Sequence, residues 1–255
     1  MNKEALVKLW LHEEELAHIR GWDFYHIDGK YEEGHDLPWD YEEIVRKYLR
    51  PEMKLLDIDT GGGEFLLSLN HPYYNLAATE NYEPNVELCK GKLLPLGIDF
   101  KKADGNAALP FDDKSFDIIM NRHGAFNPSE IKRILKVGGI LITEQVGAEN
   151  DRELVELLLN DVPDIPFPNQ YLQIARTAFQ EMGFSIIEAD EAFRPIKFWD
   201  VGALVWFARI IKWEFRGFSV KDCLGNLYHA QEILEQEGVI EGKTHRFLLV
   251  AKKMS

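Results

Sequence analysis

Leu6, Leu9, Trp10, Leu16 and Ala17 recur near a period of 3.6 residues, with the acidic block Glu13 to Glu15 facing elsewhere. The spacing predicts an amphipathic helix over 2–20. Residues 21–38, GWDFYHIDGKYEEGHDLP, alternate aromatic and polar types and are punctuated by Gly29, Gly34 and Pro38, so they read as loop. Pro38 opens a short helix through Tyr48, and Pro51 marks its end. Strands and helices then alternate: strands at 54–58, 75–79, 99–101, 116–121 and 140–144, helices at 64–69, 85–94 and 129–135. Runs such as DIIM and ILIT are apolar throughout, the pattern of a parallel sheet covered on both faces. A helix over 170–182 stopped by Gly183, a strand over 184–188 and a last strand over 244–251 complete the pattern.

Composition narrows the functional classes. The 255 residues suffice for a substantial core, and 45% apolar with 28% charged residues is ordinary for a globular chain. With 29 basic against 43 acidic residues the net charge is -14, a field that repels polyanions, so no nucleic-acid partner is expected. Two distant cysteines, Cys89 and Cys223, support neither a disulfide framework nor a zinc site and suit a reducing, cytoplasmic setting. The charged start predicts no signal peptide, and the strongest apolar run, 201–211, is too short to span a bilayer. In HEEELAH the second histidine comes six residues after the first, not four, so no metal is expected there.

The stretch LLDIDTGGGEFLLSL over 55–69 carries the chemistry. A strand ending in Gly61, Gly62 and Gly63 before a helix places backbone where ligands bind in open α/β folds. A dinucleotide would set its pyrophosphate on the helix N-terminus, where Asp57 and Asp59 would oppose it. The third glycine of the dinucleotide pattern is also missing, Leu66 standing in its place. A nucleoside bearing positive charge, as S-adenosylmethionine does on its sulfonium and ammonium, would instead be attracted.

Three motifs in order, LLDIDTGGGEF, DGNAALPFDDKSFDIIM and RILKVGGILI, resemble those of the class I (Rossmann-like) S-adenosylmethionine-dependent methyltransferases of the small-molecule type. The resemblance implies a doubly wound, mostly parallel seven-stranded sheet with helices on both faces. It also implies methyl transfer to a small-molecule acceptor. Asp57, Asp59, Thr60, Gly61 and Gly63 would form the cofactor turn, Glu80 with Asn81 the ribose contact, Asp104 with Gly105 and Asn106 the adenine contact, and Asn121 and Arg122 the methionine end. Asp59 departs from the family's glycine; it could hold the ammonium or crowd the pocket. His123 is the candidate catalytic base, because an imidazole titrates near neutral pH.

The resemblance also divides the chain. Residues 1–50 would be N-terminal helices and lid, 51–190 the cofactor-binding core, 191–243 a cap insertion, and 244–255 the last strand and tail of one domain. Tyr25 and His26 in the lid, with Trp199, Trp206, Trp213 and Phe218 in the insertion, could wall an apolar substrate pocket, form core, or serve a homodimer interface. Two rival readings stand beside methyl transfer: a non-catalytic binding protein on the same fold, and an NAD-dependent oxidoreductase. Whether the acceptor atom is oxygen, nitrogen or carbon stays open.

Overall fold

The computed structural model describes residues 2–18 and 23–255; the last predicted residues of the first helix and the start of the following loop, Gly21 and Trp22, lie outside them. In chain order the elements are α1 (Lys3–Leu16), β1 (Tyr31–Glu33), α2 (Tyr41–Tyr48), β2 (Leu55–Ile58), α3 (Glu64–Ser68), β3 (Leu76–Glu80), α4 (Glu83–Lys92) and β4 (Asp99–Lys102). There follow β5 (Phe116–Arg122), α5 (Pro128–Ile134), β6 (Leu135–Val146), α6 (Arg152–Leu158), α7 (Leu172–Glu181), β7 (Phe184–Phe198), α8 (Val201–Ile210), α9 (Leu224–Glu237) and β8 (Ile240–Lys253). Eight strands form one mixed sheet in the order β1-β7-β8-β6-β5-β2-β3-β4, where seven were expected. The addition is β1, a three-residue edge strand paired antiparallel with the end of β7 inside the predicted loop. Its YEE sequence has no alternation to announce it; the pairing partner lies far along the chain.

Contacts gather the chain into two compact units. Unit 1 comprises 1–37, 147–169 and 192–245; unit 2 comprises 38–146, 170–191 and 246–255. Residues 38–50, grouped with the lid in the sequence reading, thus fall in unit 2, and 147–169, grouped with the core, fall in unit 1.

Unit 2 contains the parallel ladder β4-β3-β2-β5-β6, with β8 antiparallel to β6. Its strands alternate between two apolar layers. Leu55, Ile118, Met120, Ile142, Leu248 and Val250 join one, while Leu56, Ile119, Leu141, Leu249 and Ala251 join the other. Burial on both faces explains why these strands read as unbroken apolar runs. α2 begins at Tyr41, not Pro38, because Asp40 is its cap: the Asp40 carboxylate accepts the Glu43 N–H at 2.9 Å. Trp39 is thereby left on the approach to the helix, free of helical geometry.

Unit 1 is built on α8, nine of whose ten residues are buried. Asp200 caps it, accepting the Ala203 N–H at 2.8 Å. Trp10, Trp206, Phe198, Phe207 and Phe215 fill the surrounding core. Among the described residues, no helix is long and apolar enough to cross a membrane.

Candidate functional site

The register of unit 2 brings the carboxyl ends of β2, β3, β5 and β6 together. Asn121 lies opposite Ile58 on one side and Thr143 on the other, and Arg122 lies opposite Glu144. Asn121 is fully buried and knits these ends: its Nδ2 donates to the Ile58 carbonyl at 3.0 Å, and its Oδ1 accepts from Gln145 Nε2 at 2.5 Å. Those bonds occupy its side chain with the scaffold.

Between β2 and α3 the chain passes through three left-handed residues, Asp59, Gly61 and Gly63, at φ 56°, 62° and 79°. Gly61 has open space where a Cβ would stand, so a ligand can approach its backbone; at Gly63 a Cβ would meet Leu93 Cδ2 at 2.9 Å. Thr60 Oγ1 donates to Asp57 at 2.6 Å. The Glu80 carboxylate, at the end of β3, accepts N–H groups from Gly61 at 2.8 Å, Asn81 at 2.8 Å and Tyr82 at 2.9 Å. Glu80 therefore shapes the turn in addition to standing beside it.

Asp57 and Asp59 are short of such donors. Burial pushes Asp57 up to about 7, against the opposing pull of Thr60 and Arg122 and with further lift from Asp59 and Glu80. Asp59 also rises to about 7, from burial first, then from the charges of Glu80 and Asp104, with the Ala125 backbone bond opposing. Asp104, on the loop after β4, is exposed and accepts the Asn106 N–H at 2.9 Å. Gly105 is buried: a Cβ there would come within 2.0 Å of the Ala125 carbonyl oxygen, and its own carbonyl accepts the Asn127 N–H at 2.9 Å. The loops after β4 and β5 are thus bonded to each other, and Asp59 bonds to the second of them.

At the end of β5, His123 adopts φ 61°, a left-handed conformation uncommon for a residue with a side chain. Its Nε2 lies 3.3 Å from Oε1 of Glu144, while Glu144 Oε2 accepts the Trp39 indole N–H at 2.6 Å. Burial works to raise the Glu144 carboxyl, but the bonds from His123 and Trp39 outweigh it and hold the group below the usual glutamate range. The Arg122 guanidinium lies over Phe65 at 4.9 Å and Tyr41 at 5.9 Å from the ring centroids. Tyr41 is itself anchored through its hydroxyl to the Asn121 carbonyl at 3.2 Å. Sequence reasoning missed Trp39, Tyr41 and Glu144. Glu144 carried a signal: like Asp57 and Glu80, it is an acid at the end of an apolar strand.

The candidates for a substrate wall fall in unit 1, and two of them, Trp206 and Phe218, are core and not wall. Trp206 is 1% exposed and donates its indole N–H to the Leu16 carbonyl, so it is core and presents no open face. Phe218 is likewise buried. His26 stacks on Trp206 at 5.4 Å and pairs with Glu13 at 2.6 Å. Tyr25, Trp199 and Trp213 keep exposed surface.

Comparison with known proteins bears on the fold. Residues 56–143 match the family model described as a methyltransferase domain, and the fold is that of the Rossmann-like class I methyltransferases the motifs resemble. The matched segment runs from β2 into β6; it contains the carboxyl ends of β2, β3 and β5 and stops one residue before Glu144. Over 86 residues the chain is 33% identical to the phthiotriol/phenolphthiotriol dimycocerosates methyltransferase of Mycobacterium tuberculosis, which is 31% of this chain and 31% of that protein. The chain thus matches about a third of that relative's length. Among solved structures, a candidate methyltransferase from Bacillus halodurans superimposes with a TM-score of 0.57 at 18% identity, covering 85% of this chain and 99% of that one. The YcgJ protein of Bacillus subtilis gives 0.56 at 21% identity, covering 84% and 98%. A structure described as the 4+2 cyclase SpnF gives 0.51 at 17% identity, covering 97% and 93%. At these identities the structures establish the fold alone.

Proposed function

We propose that the strand-end site of unit 2 binds S-adenosylmethionine and that the protein transfers its methyl group to a small-molecule acceptor. One observation carries the reading. Two aspartates, Asp57 buried and Asp59 half-buried, both pushed up to about 7, flank a glycine turn that is open at Gly61. A cluster that resists its own negative charge is matched by a ligand that brings positive charge. When bound, S-adenosylmethionine supplies a methyl group activated on a sulfonium sulfur. Asp57 and Asp59 would then balance its cationic groups, Glu80 would hold the turn and face the ribose, and Asp104 and Asn106 would meet the base. The same carboxylates oppose a diphosphate, which disfavours NAD.

A second reading, a non-catalytic protein on this fold, draws support from the bonds that tie Gly105 to Asn127 and Asp59 to Ala125. A ligand between these loops must part them. Calorimetric titration separates the readings. Binding of S-adenosylmethionine and of its product S-adenosylhomocysteine, with none of NAD, is the expected result. Absence of binding by either sulfur nucleoside overturns the proposal and favours the silent protein.

A further inference from the structure

We infer that Glu144, itself fixed by Trp39, positions His123 as a general base whose Nδ1 takes a proton from the attacking atom of the methyl acceptor. This rests on the reading of the strand ends as a methyl-transfer site, and it assigns Glu144 and Trp39 roles that the cofactor does not require.

Four observations converge. Glu144 is 6% exposed; its Oε2 accepts the Trp39 indole N–H, and its Oε1 lies 3.3 Å from His123 Nε2, within ion-pair distance. An ionised carboxylate can only accept, so the hydrogen on neutral His123 belongs on Nε2 and the lone pair on Nδ1. Nδ1 has no hydrogen-bond partner among the described residues, and the His123 side chain is 41% exposed, so that lone pair is available. The His123 backbone N–H also donates to the Glu144 carbonyl at 2.8 Å, so one residue holds both the main chain and the ring of the other at a left-handed φ of 61°. Arg122, opposite Glu144 in the ladder, does not take the carboxylate from His123, because its guanidinium lies over the Phe65 and Tyr41 rings. An outlying backbone conformation enforced from two directions is the kind that persists where a side chain must be aimed.

The arrangement selects an acceptor class. A tertiary amine or thioether has no proton to give and needs no base. An acceptor that attacks through a hydroxyl does: its O–H bond breaks, the proton passes to Nδ1, and the oxygen electron pair forms the new bond to the methyl group. The bond from that methyl group to the sulfonium sulfur breaks, its electrons staying on sulfur. Glu144 offsets the charge of the resulting imidazolium, which returns its proton to water.

The test is the tautomer of His123 in the full-length protein, read from long-range proton–nitrogen spectra of isotope-labelled imidazoles and assigned by the signal lost in His123→Ala. The wild type is expected to be predominantly Nε2–H in its neutral form. Glu144→Gln leaves two donors facing a single acceptor oxygen, so it should lose that predominance, and Trp39→Phe, which frees Glu144 to turn, should weaken it. If Glu144→Gln does not fold, Trp39→Phe supplies the readout. A wild-type Nδ1–H tautomer, or tautomer ratios unchanged in both variants, overturns the assignment. S-adenosylhomocysteine titration of the same samples separates the two layers. The expected tautomer with no nucleoside binding sinks the methyl-transfer reading; normal binding with the wrong tautomer sinks the base.

Discussion

Each unit holds desolvated acids, and Glu13 in unit 1 and the Asp57–Asp59 pair in unit 2 are treated oppositely. In unit 1, Glu13 is 6% exposed but matched: His26 Nε2 is 2.6 Å from one oxygen, Lys30 Nζ 4.0 Å from the other, and the His26 ring lies on Trp206. Gly202 allows the approach of α8, since a Cβ there would come within 3.0 Å of Glu13 Cγ. In unit 2, Asp57 and Asp59 are desolvated beside Glu80 and Asp104, and the Thr60 hydroxyl, the Ala125 backbone N–H and the charge of Arg122, which lies over aromatic rings, do not offset this. A buried charge supplied with counter-charges is architecture, since breaking such a pair costs more than the pair gains. Buried like charges left short of donors lose stability with no return from the fold itself. The difference points to a ligand as the missing partner in unit 2 and to packing as the purpose in unit 1.

The largest effect expected from that contrast is in unit 1. Trp206→Ala removes a fully buried indole, its bond to Leu16 and the platform under His26. A loss of about 3–5 kcal/mol is expected in urea unfolding, the cost of deleting a large core aromatic. A loss below about 1 kcal/mol would restore Trp206 to a solvent-facing wall and break the comparison on that side.

Glu80→Gln probes unit 2 and should act on affinity. The carboxylate accepts three backbone N–H groups; a carboxamide turns a donor toward at least one of them and deforms the turn around Gly61. S-adenosylhomocysteine affinity is expected to fall by about 1–3 kcal/mol, roughly five- to 150-fold, in calorimetry. Equal affinity in the variant would take Glu80 out of the site.

Local signals made unit 2 readable. The acids and glycines between 57 and 63, Glu80, and the DGN turn at 104–106 are set by strand ends and turns a few residues long, so their chemistry is written in sequence order. Glu144 and Trp39 meet across 105 positions, and no periodicity announces such a pair. Elsewhere the missed elements also depend on distant partners. β7 runs to Phe198 through an acidic stretch and Pro195, although its alternation stops being apolar after Glu188; pairing with β1 sustains its end. β6 starts at Leu135 and crosses Gly138 and Gly139, which read as a turn. α6 follows Asp151, a residue type that commonly opens helices, although here it is left-handed with no side-chain capping bond; from the sequence pattern no helix is expected there. The apolar run of α8 is visible in the sequence, but an apolar run alone does not distinguish core from cap, which is why Trp206 stands there as a candidate for wall, core or interface.

Asp59→Asn gives the smallest and most condition-dependent change, because solvent reaching the open side of the turn relieves part of the desolvation. Asparagine tolerates the left-handed conformation and keeps an oxygen for the Ala125 N–H, so the substitution removes charge and little else. The sign follows from linkage. Asp59 titrates near 3.8 when unfolded and at about 7 when folded, so between those values the native state binds the extra proton. Wild-type stability therefore falls as pH rises through that window and is level above it. Asparagine does not titrate. The melting temperature of the variant should gain on the wild type as pH rises from about 4 to about 7 and hold that gain beyond. A constant offset across the range would mean that the negative charge is not concentrated at this turn. The same variant sharpens the ligand side: S-adenosylmethionine carries a sulfonium charge that S-adenosylhomocysteine lacks, so any preference of the wild type for the charged nucleoside at pH values above the Asp59 titration should shrink in the variant. A preference that survives unchanged would move the counter-charge away from Asp59, leaving Asp57 as the group to test.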